Sequence, residues 1–213
     1  CGVSCLRWGI VLLGTQVTAM QIGSLGALAF IGLVFIMALV VGAGLFGAKI
    51  GSQSNLTGWL AGGATAICGA SAALAIYALI GRERLNQSQF TLTLVGVSLA
   101  SAIAMSFYPI IADYLAFTDR QAGFLMGAAI HDVAQSLGGG YSYSQEAGEY
   151  ATIVKLSRVA LLAPAVALIG LAIGSIDGSK RSLRAKLKLP WFVLAFFAVV
   201  MLNSLIDAPD WVR

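Results

Sequence analysis

The sequence predicts an all-α integral membrane protein with about seven transmembrane segments. Hydrophobic residues make up 59% of the 213 residues and charged residues only 10%, whereas a soluble domain carries about 25% charged residues. The mean hydropathy is +0.88, and the apolar residues form runs near the length of about 20 residues that crosses a bilayer. The lipid bilayer is therefore the predicted surroundings of the chain.

Apolar segments follow one another along the whole chain, separated by brief polar connections. The connection at 142–150 is predicted to precede the sixth segment, and no long linker or low-complexity stretch divides the chain. We therefore expect residues 1–213 to form a single membrane domain. The segments lie at 8–20, 25–47, 57–80, 91–114, 122–140, 156–176 and 190–206, and the first and fifth are short for a full crossing.

Basic residues predict the orientation. The net charge is +4, and five of the thirteen basic residues lie between two apolar segments at 180–188. Such a cluster is typical of a cytoplasmic loop, and nucleic acid is not an expected partner. If the segments alternate strictly, eight basic residues share the side of this loop and five lie opposite, which predicts a cytoplasmic N-terminus. The opposite five are Arg82, Arg84, Lys155, Arg158 and Arg213.

The cysteine pattern predicts neither a disulfide scaffold nor a metal site. The three cysteines, Cys1, Cys5 and Cys68, are odd in number and have no Cys-x-x-Cys or Cys/His ligand spacing. No HExxH or Walker A pattern occurs, and the lone histidine has no triad around it. We expect no cofactor and no enzymatic activity.

A polar group interrupts the fifth apolar segment. His131, the only histidine, is followed by Asp132 and Gln135. On a continuous helix, His131 and Gln135 would share a face and Asp132 would lie near Gln135. An aspartate at a helix centre costs roughly 2.5–3.5 kcal/mol on insertion scales, so such residues usually mark a substrate or proton path. The alternative is a polar contact that joins helices.

Small residues crowd the third apolar segment at 65–72. This density allows helices to pack closely, and it also allows an interruption that leaves two half-helices. The amino end of a half-helix would offer backbone donors to an anion without any charged side chain. We predict such a break within 66–71, with Cys68, Gly69, Ala70 and Ser71 at the site. Close packing alone is the alternative, and Cys68 is more simply a small apolar filler.

A weak internal similarity links two parts of the chain. Residues 6–14 resemble residues 156–164, and each stretch begins an apolar segment. The copies are five segments apart, so they would cross the membrane in opposite directions. That arrangement predicts inverted-topology repeats, with chance similarity between leucine-rich stretches as the alternative.

Several motifs together resemble the YeiH-type family of proposed sulfate exporters. The stretch Ile67-Cys-Gly-Ala-Ser-Ala72, followed by Ile130-His-Asp-Val-Ala-Gln135, carries the resemblance. It continues at 6–14, in Lys155-Leu-Ser-Arg158 and in Pro190-Trp-Phe192, so it covers nearly the whole chain in order.

The resemblance implies a fold similar to sodium/proton antiporters and bile-acid symporters, with two inverted repeats and crossing broken helices. It also implies the bacterial inner membrane as the location. Family members commonly have glutamate where Asp132 stands, and a different ending where this chain has Ser136–Gly140. They extend further at both ends, so we expect this chain to be the central part of a longer protein.

Three hypotheses follow for the function. The first is secondary transport of a small anion, such as sulfate or a related sulfur oxyanion, through His131, Asp132, Gln135 and the stretch Cys68–Ser71. The second is a cation/proton exchanger that uses Asp132, and the third is a non-transport membrane scaffold subunit. Proton coupling and a homo-oligomer are compatible with the first, and the sequence leaves the substrate and the coupling ion open.

Overall fold

The computed structural model describes residues 25–176, together with Trp8, Ala195, Ala198, Val199, Met201 and Leu202. The basic cluster at 180–188 lies outside the described residues, as do nearly all of segment 8–20 and most of segment 190–206. Residues 6–14 fall there too, apart from Trp8, so the inverted repeat stays a prediction.

The described part of the chain is helical, with turns and short irregular connections and no strand among those residues. Three stretches are long and apolar enough to cross a membrane, namely Ala27–Ile50, Gln87–Tyr114 and Gln145–Gly174. The helices between residues 25 and 176 are α1 (Ala27–Ile50), α2 (Asn55–Ala66), α3 (Ala70–Ile80), α4 (Gln87–Tyr114), α5 (Asp119–Ala129), α6 (Val133–Tyr143), α7 (Gln145–Ala160) and α8 (Leu162–Ile176).

Helices α2 and α3 form a re-entrant hairpin, hairpin 1. Gln89, at the start of α4, donates a side-chain hydrogen bond of 3.0 Å to Thr57, at the start of α2. If α2 and α3 continued in one direction, their outer ends would lie roughly 35–40 Å apart, and the connection 81–86 reaches at most about 20 Å. Helix α3 therefore returns to the side from which α2 starts.

Helices α5 and α6 form a second hairpin, hairpin 2. The Ser144 hydroxyl, just after α6, donates to the carboxylate of Asp119, the first residue of α5. The Tyr143 hydroxyl donates to the Phe117 carbonyl oxygen over 2.5 Å. The two ends of hairpin 2 are therefore adjacent. Each half-helix rises about 16–18 Å, which is half of the roughly 30 Å hydrocarbon core.

The two hairpins start from opposite sides of the protein. Lys49, Arg82 and Arg84 lie where hairpin 1 begins and ends (the Lys49 side), and Arg120 lies where hairpin 2 begins (the Arg120 side). Helix α4 connects the two sides because it follows hairpin 1 and precedes hairpin 2. The expectation that the segments alternate strictly across the membrane is wrong for 57–80 and 122–140. It had placed Arg82 and Arg84 on the opposite side of the membrane from Lys49.

Glycines let the hairpins pack against the spanning helices. A Cβ atom on Gly44 of α1 would lie 2.4 Å from the Cα atom of Gly62 in α2. On Gly127 of α5 it would lie 2.8 Å from the Ala151 carbonyl oxygen in α7. No side chain fits at such distances, so the backbones approach closely, as small residues allow in membrane helices.

The predicted polar connection at 142–150 is mostly helical instead. Helix α6 runs to Tyr143 and α7 begins at Gln145, with Ser144 capping it by accepting from the Ala147 N–H over 3.0 Å. The third spanning stretch thus starts well before residue 156. It is interrupted at Leu161, three residues before Pro164, because a proline ring clashes with the carbonyl group four residues earlier.

Candidate functional site

The tips of the two hairpins meet in the interior of the helical assembly. Tip 1 consists of Ile67–Gly69 and tip 2 of Ile130–Asp132. A Cβ atom on Gly69 would lie 3.7 Å from the Cβ atom of His131. Because each hairpin reaches about half-way through a bilayer, this contact lies near the membrane midplane.

Tip 1 is a helix break whose backbone conformation only glycine adopts easily. Helix α2 ends at Ala66 and α3 begins at Ala70, which confirms the predicted interruption within 66–71. Gly69 has φ 68° and ψ −115°, a conformation that costs little for glycine alone, and its N–H donates to the Ala64 carbonyl over 2.8 Å. The N-cap residue of α3 is Gly69 itself, which has no side chain to cap the helix. Ala70 is exposed and Ser71 is half-buried.

Tip 2 is a break that the sequence interpretation missed. Helix α5 ends at Ala129, and the Asp132 carboxylate caps α6 by accepting from the Gln135 N–H over 3.1 Å. The expectation of a continuous helix through His131, Asp132 and Gln135 is wrong, because aspartate bonds its neighbouring backbone more readily at a helix start than inside a helix. Asp132 is exposed, and its hydrogen bond is a capping bond.

Ser101 of α4 fixes tip 2 in place. Its hydroxyl oxygen accepts from the backbone N–H groups of His131 and Asp132, each over 3.1 Å. Ser101 is fully buried, and within the described residues these two N–H groups have no other hydrogen-bond partner. A single side chain thus satisfies two backbone donors that the broken helix leaves free.

Arg158 of α7 ties the two hairpins together. All five of its N–H groups point at carbonyl oxygens where α2 and α5 end. Nε donates to Ala66 over 3.2 Å, Nη1 to Gly127 and Ala128 over 3.3 and 2.5 Å, and Nη2 to Thr65 and Ala66 over 3.0 and 2.6 Å. The guanidinium group therefore neutralises the negative ends of two half-helices at once.

Lys155, one turn before Arg158, binds the same place. Its ammonium group donates to the Ile130 carbonyl at tip 2, and the residue is 0% exposed. From the sequence, Lys155 and Arg158 were counted on the outer side of the membrane, which is wrong. The available signal was their three-residue spacing amid Val154, Leu156 and Val159, a pattern that places both cations on one face of an apolar helix.

The electrostatic balance at the tips is positive. Each tip holds one carboxyl end and one amino end of a half-helix, so the helix dipoles offset each other in pairs. The charged side chains at or beside the tips are then Lys155, Arg158 and Asp132. Two basic side chains stand against one carboxylate, and within the described residues neither Lys155 nor Arg158 forms a salt bridge with an acidic group.

Two buried polar atoms, one in tip 2 and one in the first turn of α6, have no hydrogen-bond partner among the residues that the structure describes. They are Nδ1 of His131 and Oε1 of Gln135. Buried polar groups are paired in the great majority of cases, and an exception often marks a functional position. His131 thus combines an unsatisfied nitrogen with direct contact to tip 1.

A cavity of about 760 Å³ leads to the tips from the Arg120 side. Arg120 and Gln121 line it where α5 begins, and Thr65, His131 and Arg158 line it at the tips. Cys68, Gly69, Ala70, Ser71, Asp132 and Gln135 are not among its lining residues. The fold therefore brings Gly69 and His131 together and places His131 on the cavity, while Asp132 and Ala70 are exposed elsewhere. Cys68 is buried among apolar residues, and no metal-binding group of His, Cys, Asp or Glu occurs in the described part of the chain.

The fold and the site define a multi-pass membrane protein whose re-entrant hairpins meet inside the bilayer. The chain belongs to the family described as Conserved hypothetical protein 698, whose model matches residues 3–212. No solved structure matches the chain significantly.

Relatives from several bacteria agree with this assignment. The UPF0324 membrane protein TauZ of Paracoccus denitrificans is 40% identical over 205 residues, which cover 94% of this chain and 60% of that protein. The UPF0324 inner membrane protein YeiH of Escherichia coli K12 is 30% identical over 207 residues, covering 93% and 57%. The resemblance to the YeiH-type family is confirmed.

The relatives also fix the location and the extent of the match. One of them is named an inner membrane protein, and the described part of this chain contains three helical stretches long and apolar enough to cross a membrane. It is a multi-pass protein of the bacterial inner membrane. The chain spans about 60% of the length of the first relatives and 43% of a 40% identical one from Caulobacter vibrioides.

Proposed function

We propose that the chain forms the central part of a secondary transporter that moves an anion across the inner membrane. The meeting point of the two hairpin tips is the proposed passage, with His131, Gly69 and the uncapped amino end of α3 beside it. The family resemblance suggests sulfate or a related sulfur oxyanion, and we assign no catalytic step to these residues.

The observation that supports an anion is the positive balance at the tips. Arg158 stays charged in proteins, and it lies with Lys155 where two half-helices end. Within the described residues neither basic side chain forms a salt bridge, and the one carboxylate beside them, that of Asp132, is engaged as the cap of α6. In surroundings of low dielectric such a surplus attracts anions and repels cations more strongly than in water.

The same observation disfavours the cation/proton exchanger. That hypothesis requires Asp132 to release its proton and bind a cation in turn. Asp132 already accepts the N–H of Gln135 as the cap of α6, so its carboxylate would have to leave that bond to bind a cation. An incoming cation would also meet Arg158 and Lys155. No observation in the described residues favours a scaffold subunit.

Flux into proteoliposomes tests the proposal. The purified chain is reconstituted, and uptake of labelled sulfate, an organic sulfonate and a carboxylate is compared with uptake of sodium and potassium ions. We expect uptake of at least one anion above that of empty liposomes, and no cation uptake. Uptake of a cation without any anion would overturn the proposal.

Asp132→Asn in the same assay addresses proton coupling. Asparagine caps a helix about as well as aspartate, so the fold is retained while the titratable carboxylate is lost. If Asp132 carries the coupled proton, anion flux in this variant no longer responds to a pH gradient. A response equal to that of the wild type would exclude Asp132 from coupling, and loss of all ion movement would favour the exchanger.

A further inference from the structure

We propose that the cavity on the Arg120 side binds a singly charged organic anion, with its head group on Arg120 and its apolar body against α1 and α5. This inference rests on the proposed function. It narrows the substrate class from anions in general to anions that carry an apolar body.

The size of the cavity is the first argument. Its volume of about 760 Å³ lies within the roughly 300–1,000 Å³ of sites for small organic ligands. A tetrahedral inorganic oxyanion takes up the space of only a few waters, each about 30 Å³. Such an ion would fill a small part of the cavity and touch few of its walls.

The lining of the cavity is the second argument. Between its two ends the walls are mainly apolar, with Leu28 and Ile36 from α1 facing Phe124 and Leu125 from α5. An ion without an apolar body would lose its water there and find few replacement donors, which is costly. An apolar body gains instead from leaving water.

The placement of free donors is the third argument. Arg158 lines the inner end of the cavity, but all five of its N–H groups are engaged with carbonyl oxygens. Arg120, at the outer end, contacts the ring of Tyr150 at 5.9 Å, and no acidic side chain of the described residues forms a salt bridge with it. Its guanidinium group can therefore hold a carboxylate or sulfonate, with Gln121 beside it.

The charge of the lining is the fourth argument. Arg120 and Arg158 are its only charged members among the described residues, and neither Asp nor Glu contributes. With Arg158 engaged, one guanidinium group is available for one anionic head group. The same chemistry, one charge and an apolar body, is found in soluble organic acids and in anionic phospholipids.

Octanoate is a suitable probe, and the full chain in phosphatidylcholine nanodiscs is a suitable sample. Binding is measured by equilibrium dialysis, with empty nanodiscs subtracted because octanoate also partitions into lipid. We expect saturable octanoate binding that the neutral analogue octanol competes for at least tenfold more weakly. Sulfate in large excess should leave octanoate bound.

Two pairs of variants locate the binding. Gly32 lines the cavity, and a Cβ atom there meets nothing within 4 Å, so Gly32→Phe adds a ring at the cavity wall without a clash at the Cβ atom. Gly42 is equally open, on the same helix, but away from the cavity. We expect Gly32→Phe to weaken octanoate binding at least tenfold and Gly42→Phe to change it less than twofold. Arg120→Gln should weaken it about tenfold to a hundredfold, and Arg82→Gln, on the Lys49 side, should not.

The outcomes separate this inference from the proposed function. Absence of saturable binding, displacement by sulfate, or equal effects of Gly32→Phe and Gly42→Phe would overturn the inference, even if sulfate flux were observed. Octanoate binding without flux of any anion would support the inference and contradict transport. Nanodiscs that contain phosphatidylglycerol identify the source: competition with octanoate would support a ligand from the membrane, and its absence would support a soluble acid.

Discussion

The two hairpin tips solve the same problem in different ways. Both must end one half-helix and start another where no water satisfies the backbone. Tip 1 turns on Gly69 and leaves the amino end of α3 without a side-chain cap. Tip 2 is capped by Asp132 and anchored by Ser101.

The difference suggests a division of roles between the tips. At tip 2 the N–H groups of His131, Asp132 and Gln135 donate to protein groups, so we take it as the fixed side of the contact. At tip 1 the N-cap residue Gly69 has no side chain, so we expect the N–H groups of Ala70 and Ser71 to be able to donate to an anion. Arg158 binds the carboxyl end of the first half-helix in each hairpin, α2 and α5. A substitution of Arg158 therefore affects both tips.

The largest effect is expected from Arg158→Met. Four carbonyl groups would lose a charged donor, and each unsatisfied buried group costs about 1–3 kcal/mol. We expect the free energy of unfolding to fall by at least about 3 kcal/mol, measured by denaturant titration in detergent. Arg158→Lys should lose less unfolding free energy than Arg158→Met, since lysine keeps the charge but has fewer donors than arginine. Arg82→Met, at an exposed position in the connection 81–86, is the matched control. An equal loss of unfolding free energy in that variant would contradict the role of Arg158 in joining the two hairpins.

Ser101→Ala should affect tip 2 alone. The N–H groups of His131 and Asp132 would lose their acceptor, at a cost of about 2 kcal/mol in unfolding free energy. Amide hydrogen exchange should rise in a peptide that covers 130–133 and stay unchanged at 66–71. Ser106→Ala is the control because its hydroxyl bonds only the Ala102 carbonyl of its own helix. Similar changes in stability and exchange for Ser101→Ala and Ser106→Ala would contradict the role of Ser101 in holding tip 2.

Gly69→Ala should affect tip 1. A left-handed conformation costs a residue with a Cβ atom about 1–2 kcal/mol, and this Cβ atom would lie 3.3 Å from a Val97 methyl group. Gly81→Ala is the matched control, since Gly81 has φ 92° in open space at the far end of hairpin 1. We expect similar losses of stability, but at least a tenfold loss of anion flux for Gly69→Ala only. Equal flux in the two variants would remove tip 1 from the passage.

Asp132→Ala should have the smallest effect on stability. It removes the cap of α6, which is worth about 1 kcal/mol, whereas Asp132→Asn preserves it. Thermal unfolding of both variants in nanodiscs measures the difference. If Asp132→Asn were as unstable as Asp132→Ala, the charge would matter more than the cap, and tip 2 would not be the fixed side.

Composition and local pattern predicted the membrane, the helices and the break at tip 1. The cluster of small residues around Gly69 was visible because such a break needs a residue without a Cβ atom. The break at tip 2 was not visible, since His131 and Asp132 were expected on a helix face. Whether an aspartate lies inside a helix or caps one depends on tertiary contacts, here those of Ser101 with the tip 2 backbone.

The hairpins and the cation pair could not be read from local pattern. Residues 57–80 have the length of one full crossing, and contacts between residues distant in sequence, such as the bond between Thr57 and Gln89, show that they fold back. Lys155 and Arg158 resembled the edge of a connection because basic residues usually flank apolar segments. Their partners are carbonyl groups of tips 1 and 2, distant in sequence, so the pairing is a property of the tertiary fold.

Cysteine accessibility in intact cells tests the central claim, that both hairpins return to the side from which they start. Single cysteines are placed at Gln53 and Glu83, at the two ends of hairpin 1, and at Leu115 and Glu146, at the two ends of hairpin 2. The native cysteines are first replaced by alanine. All four positions are exposed. The basic residues at Lys49, Arg82 and Arg84 predict that the Lys49 side is cytoplasmic.

We expect a membrane-impermeant maleimide to label Leu115→Cys and Glu146→Cys from outside, and to reach Gln53→Cys and Glu83→Cys only after the cells are opened. If Gln53→Cys and Glu83→Cys were labelled from outside and the other two only in opened cells, the orientation would be reversed but both hairpins would stand. Labelling of Gln53→Cys and Glu83→Cys from opposite sides would mean that 57–80 crosses the membrane, and that result would contradict the account.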